Sequence, residues 1–187
     1  KLNALVSGVS ERENERNLLN SQLKFARDKM DTSEKQIIEA NDQIEAAKWL
    51  GKQSYIDAAR IGIFGWSYGG YMSLLAILKG NDVFKSAIAV APVTNWKWYD
   101  SIYTERFLQT PEENKGGYEN NSPINFADRL KGNLLIVHGD ADDNIHYQNT
   151  AEMVKALVDA NKQFDFMAYP NKDHSIAGGY TRYHLRL

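Results

Sequence analysis

A serine with a glycine two residues to either side, Gly65-Trp66-Ser67-Tyr68-Gly69, is the group in this sequence best equipped to do chemistry. It follows an apolar run, Ile61-Gly62-Ile63-Phe64, and precedes a stretch of helical character from Tyr71 to Lys79. A G-x-S-x-G pattern in that context predicts a sharp strand-to-helix turn holding the serine in a strained conformation at the strand tip. Glycines at these places let helix and strand approach closely. The start of the helix then lies beside Ser67, where its free N–H groups favour developing negative charge. The chemistry this implies is nucleophilic attack by a hydroxyl, which is a weak nucleophile and needs a base.

Four histidines could be that base. An elbow of this kind takes its partners in the order Ser, acid, His. His138 precedes every candidate acid after the third apolar run and reads as closing that strand. His146 follows Asp142 by one helical turn and reads as capping or packing on the next helix. His184 lies beyond the last strand. His174, in the loop Pro170-Asn171-Lys172-Asp173-His174-Ser175 directly after that strand, is the candidate general base. The acid is expected at the tip of the preceding strand, where His138-Gly139-Asp140-Ala141-Asp142-Asp143-Asn144 offers three carboxylates that position does not separate. The spacing of a calcium loop is absent there, so no metal is expected.

Positioning these groups takes alternating strands and helices. Ile61–Phe64, Ser86–Ala91 stopped by Pro92, Leu134–Val137 and Phe164–Tyr169 read as buried-type strands. Tyr71–Lys79 and His146–Asn161 read as helices, the second with Ala151, Val154, Leu157 and Val158 at helical spacing. The alternation predicts an α/β fold, a parallel sheet with helices on both faces. The 187 residues suit one domain with a short appendage, and an apolar share of 43% supplies a core. A net charge of -2 gives no basic footprint for nucleic acid. Without cysteine the chain has no disulfide, no thiolate zinc site and no thiol catalysis. No apolar run is long enough to span a bilayer, and Lys1–Ser10 lacks the apolar centre of a signal peptide. These features predict a soluble chain and name no compartment. The first residue is Lys rather than Met, as in a processed product or a fragment.

Residues 1–40 differ in texture, rich in Glu, Asn, Arg, Lys and Ser with Phe25 the one aromatic. One heptad register places Leu2, Val9, Arg16, Leu23, Met30, Ile37 and Ile44 at a. It places Leu5, Arg12, Leu19, Ala26, Ser33, Ala40 and Ala47 at d, a seam interrupted by Arg12 and Arg16. Capping boxes at Ser10-Glu11-Arg12-Glu13 and Asp31-Thr32-Ser33-Glu34 predict helices over 11–30 and 33–52, with Gly51 near the second stop. The division expected is a helical segment at 1–40 and a catalytic domain at 41–187. The helical segment packs on its own domain, forms a dimerising coiled coil or is a disordered tail, and a homo-oligomer would form through that helix or through the catalytic domain.

Longer motifs carry a resemblance. Gly65 to Ser73, Ala91-Pro92-Val93-Thr94-Asn95-Trp96, Tyr99 to Arg106 and Ala141-Asp142-Asp143-Asn144-Ile145-His146 resemble the dipeptidyl-peptidase IV branch of the prolyl oligopeptidases, from about Asn41 to the end. The resemblance implies an α/β-hydrolase fold, here with a partial sheet, and cleavage of peptide substrates after proline or alanine at the second position. It implies Asp142 as the triad acid, His174 as the base and the backbone N–H of Tyr68 as an oxyanion-hole donor. It also implies a proline pocket of Val93, Trp96, Tyr99, Tyr103 and Ile145, with Asn144 holding a substrate carbonyl. A flat aromatic slot suits a pyrrolidine ring, which asks for no hydrogen bonds. The sequence departs from that family in lacking its β-propeller with an amine-binding glutamate pair, the first strands of the sheet and a tyrosine that completes the oxyanion hole. The final helix is cut at Leu187, and Ser175 follows the base where the family usually has glycine. Missing sheet neighbours predict uncovered apolar strand faces and edges. Three functions fit: a serine peptidase acting through an acyl-enzyme, an inactive remnant or fusion that associates through its helical head, and a permissive esterase. None calls for a cofactor.

Overall fold

A computed structural model describes residues 12–22, 24, 39–80 and 82–179. Residues 12–22 are helical, inside the first helix expected. Helix α1, over 39–50, lies inside the second, and Gly51 begins the turn that ends it. Much of the proposed heptad falls outside the described residues. Of the positions within them, Leu19 is exposed, whereas Ala40, Ile44 and Ala47 are buried against the rest of the chain.

Four strands follow: β1 (Gly62–Trp66), β2 (Ser86–Val90), β3 (Asn133–Gly139) and β4 (Asp165–Tyr169). They form one parallel sheet in the order β1-β2-β3-β4. The longer helices are α2 (Tyr68–Lys79), α3 (Ser101–Leu108), α4 (Lys115–Asn121) and α5 (Gln148–Asp159). A short 3-10 helix, Trp96–Trp98, follows β2, and another, Pro123–Arg129, precedes β3.

The strand order decides where the helices go. Each connection steps one strand in the same direction, and right-handed crossovers then leave every helix on one face. The packing agrees. Ala87, Ala89, Leu134 and Ile136 share one buried cluster with Ile44 and Ala47 of α1, Leu74 and Ile77 of α2, and Met153 and Leu157 of α5. Among the described residues the second face carries only a small cluster near the strand tips, with Val90, Val137, Tyr169 and Ile176. Farther down that face Phe64 is 64% exposed, and Ile88 and Met167 are partly open. The expectation of helices on both faces is met on one face by the described elements, and the expectation of an uncovered apolar face is met by Phe64 and Ile88.

Candidate active site

The elbow comes first because it sets the origin of the site. Ser67 has φ 60° and ψ −119°, a left-handed conformation that costs a residue with a Cβ about 1–3 kcal/mol and is kept only where its surroundings enforce it. The enforcement is visible. The Ser67 N–H donates to the Val90 carbonyl at 2.8 Å, and the Ser67 carbonyl accepts the Tyr71 N–H at 3.0 Å. A Cβ on Gly65 would meet the Gly69 carbonyl oxygen at 2.1 Å, and one on Gly70 would meet the Val90 carbonyl oxygen at 2.7 Å. Gly69 itself faces open space. Gly65 and Gly70, rather than Gly65 and Gly69, are therefore the positions where a side chain would force strand and helix apart. Helix α2 begins at Tyr68, three residues earlier than its apolar spacing suggests, so the Tyr68 N–H is among those a helix start leaves without an intrahelical partner.

The three aspartates after β3 separate cleanly. Asp140 is exposed and accepts the Asn171 N–H at 2.6 Å, tying the loop after β4 to the tip of β3. Asp143 is exposed. Asp142 is buried, and its two oxygens divide the work. Oδ1 accepts the backbone N–H groups of Asn144 and Ile145, both at 2.9 Å. Oδ2 lies 2.8 Å from His174 Nδ1 and 3.1 Å from His138 Nε2. Burial alone would raise the Asp142 pKa, but the hydrogen bonds from His138, His174 and the two N–H groups outweigh it and bring it down to about 2.

His174 is held from both sides. Its Nδ1 faces Asp142, and its backbone carbonyl accepts the Trp66 indole N–H at 3.0 Å. That second bond docks the His174 loop onto the residue before Ser67. No hydrogen bond joins Ser67 to His174 among the described residues, so the link between them runs through Trp66. The loop also needs Gly139, where a Cβ would meet the Lys172 carbonyl oxygen at 2.2 Å. His146 is exposed, and its carbonyl accepts two bonds from Asn149, consistent with a place at the start of α5. His184 lies outside the described residues.

Beside Ser67 is a cavity of about 200 Å³ lined by Ser67, Tyr68, Val93, Trp96, Tyr99, Tyr103 and Ile145. The Trp96 and Tyr103 rings stack at 6.3 Å, and Tyr99 stands edge-on to both, at 6.0 and 5.5 Å. The result is a narrow slot walled by π faces. Asn144 does not line it. Its Oδ1 accepts the Tyr99 hydroxyl at 3.0 Å, at the junction with a more open polar cleft that includes Asp100, Asp143 and His146.

Several groups that shape this site escape a reading of the sequence. Glu39, assigned to the helical head, accepts the Tyr68 hydroxyl at 2.5 Å across one wall of the slot. Burial first and this hydrogen bond second push the Tyr68 phenol well above its ordinary pKa. Asn149, fully buried at the start of α5, accepts the Thr94 N–H at 3.0 Å, and its carbonyl accepts the Thr94 hydroxyl at 2.6 Å. This fixes the segment that carries Val93 and Trp96. No local pattern marks Glu39 or Asn149, because each acts on a residue about 30 to 55 positions away.

The model of the prolyl oligopeptidase family matches residues 24–186. The chain belongs to the prolyl oligopeptidase family. Within it, the chain is 47% identical over 150 residues to dipeptidyl peptidase 4 of Felis catus, covering 79% of this chain and 20% of that protein. It is 43% identical over 152 residues to prolyl endopeptidase FAP of Mus musculus, covering 80% and 20%. The crystal structure of Porphyromonas gingivalis dipeptidyl peptidase 4 superposes with a TM-score of 0.79 at 56% identity, covering 81% of this chain and 22% of that one. The chain thus spans about a fifth of the length of these prolyl oligopeptidase relatives. The sheet and helices described above are those of an α/β-hydrolase. Among the described residues no helix is long and apolar enough to cross a membrane.

Proposed function

We propose that this chain carries the reaction centre of a serine peptidase that cleaves peptides after proline, and less readily after alanine, a reading supported by its place in the prolyl oligopeptidase family. The observation that carries the reading is the strained Ser67 opening onto an aromatic slot, with the half-buried His174, paired to the buried Asp142, docked on the neighbouring Trp66. In this mechanism His174 Nε2 takes the hydroxyl proton as Ser67 Oγ attacks the substrate carbonyl. The Tyr68 N–H and the start of α2 stabilise the oxyanion. His174 returns the proton to the leaving amine, and water releases the acyl group by the same route. Asp142 keeps the Nδ1 proton on His174 and favours the imidazolium that forms. The slot of Trp96, Tyr99 and Tyr103 receives the proline ring, and Asn144 at its rim receives the preceding carbonyl.

A fluorophosphonate probe followed by intact mass tests the first half of this reading. One adduct is expected, absent in Ser67→Ala and in His174→Ala. Hydrolysis of a chromogenic dipeptide with proline next to the leaving group, against the same dipeptide with leucine there, tests the second. A folded protein that takes no adduct, or one that prefers leucine, rules the reading out.

A further inference from the structure

His138 is a buried histidine for which the reaction just described has no use. It lies in β3 with no exposed surface, and every polar atom of its ring is engaged. Nε2 faces two oxygens that can only accept, Asp142 Oδ2 at 3.1 Å and the Ile145 carbonyl at 2.9 Å. Nε2 must therefore carry the proton and share it between them. A neutral ring then has Nδ1 as its acceptor, and the Thr150 hydroxyl, itself fully buried, lies 2.7 Å away to donate. The Asp142 and Ile145 oxygens so select the tautomer, the Thr150 hydroxyl in α5 donates to its free nitrogen, and Asp142 faces His174 with the same oxygen. The chain of contacts runs from Thr150 through His138 and Asp142 to His174.

We propose that His138 is a positioning residue for the triad, a second histidine on the shared oxygen of Asp142 that is held as a donor by the oxygens it faces and that limits how strongly Asp142 holds the proton of His174. The inference rests on the peptidase reading above. Two donors on one carboxylate oxygen compete for the same negative charge, so charge given to the His138 N–H is withheld from the His174 imidazolium. The other titratable groups around the pair are Asp173, one residue before His174, Tyr147, whose ring stands edge-on to His138 at 5.7 Å, and Tyr99, which feels the charge of Asp142. Each of these stays in place in the variants below.

The test is the pH titration of the His174 ring resonances by NMR in the full chain. In His138→Leu the whole charge of Asp142 Oδ2 falls on His174, and the midpoint moves up by roughly one unit, tenfold in the proton equilibrium. In His138→Gln, whose side-chain N–H reaches the place of Nε2, the midpoint returns to the wild-type position. Thr150→Val, which removes the hydroxyl that polarises the ring without emptying the core, weakens the His138 N–H as a donor and moves the midpoint upward by less. An unmoved midpoint in His138→Leu, or in Thr150→Val should the leucine variant not fold, reduces His138 to a packing residue and overturns the proposal. These midpoints are read whether or not Ser67 reacts with a fluorophosphonate, so this inference and the peptidase reading can fail separately.

Discussion

Asp142 has four hydrogen-bond donors on two oxygens and almost no contact with solvent. Such a group is tied to both stability and rate. Its folded pKa, about 2, lies below the ordinary carboxylate value, so the folded state binds this proton less readily than the unfolded chain does. The stabilisation is therefore complete above the unfolded value near 4 and is lost as pH falls toward 2, an effect of about 2 kcal/mol. Asp142→Asn has no such window. Urea unfolding of both proteins at about pH 6 and about pH 2.5 should show their stability gap narrowing on acidification, and a constant gap argues against the ionised carboxylate. The same substitution leaves His174 with the wrong tautomer, for which a loss of about ten-thousandfold in turnover is expected. Spacing points to Ser67 and His174 directly, through the elbow pattern and the order of its partners. It does not separate Asp142 from Asp140 and Asp143, because what separates them is burial, and burial is decided by how the loop after β3 folds back. The same holds for His138. Its place in the strand is readable, but its contact with Asp142 depends on a turn that brings the chain back four residues later.

At the scale of elements, apolar runs locate all four strands within a residue or two, because the strands of this parallel sheet carry apolar side chains on both faces, Phe64 and Ile88 on the open one included. The start of α2 is less readable. Tyr68-Gly69-Gly70 holds two poor helix formers, and the helix begins there because the elbow fixes it, not because of propensity. The two glycines of the motif then make opposite predictions. Gly65→Ala places a methyl 2.1 Å from the Gly69 carbonyl oxygen, and the elbow must open to admit it. Gly69→Ala meets nothing within 4 Å and exchanges a poor helix former for a good one, with a gain of about 0.5–1 kcal/mol. Thermal melting should therefore fall in the first variant and hold or rise in the second. A displacement of about 1 Å at Ser67 is enough to slow fluorophosphonate labelling about a hundredfold in Gly65→Ala. Equal melting temperatures in the two variants count against the packing described here.

For the whole molecule the open question is what meets the second face of the sheet. Phe64 on β1 pairs in register with Ile88 on β2 and points away from the helices, and β1 has no outer neighbour among the described residues. An apolar, twisted face beside a free parallel edge is a surface that draws chains together in water. The helical head offers a second route, since Leu18 and Leu19 are also exposed. The two routes predict different sensitivities. Sedimentation of the 187-residue chain over a range of concentrations should show association that Phe64→Glu or Ile88→Glu suppresses, because a charge on the solvent side of a strand resists edge and face pairing. Leu18→Glu with Leu19→Glu should leave that association in place. Ile102→Glu on α3 replaces an even more exposed apolar side chain, 85% open, at a site off the sheet, and it should change nothing. If the head variant alone restores the monomer, the seam of residues 1–40 is the association surface and the sheet face is inert.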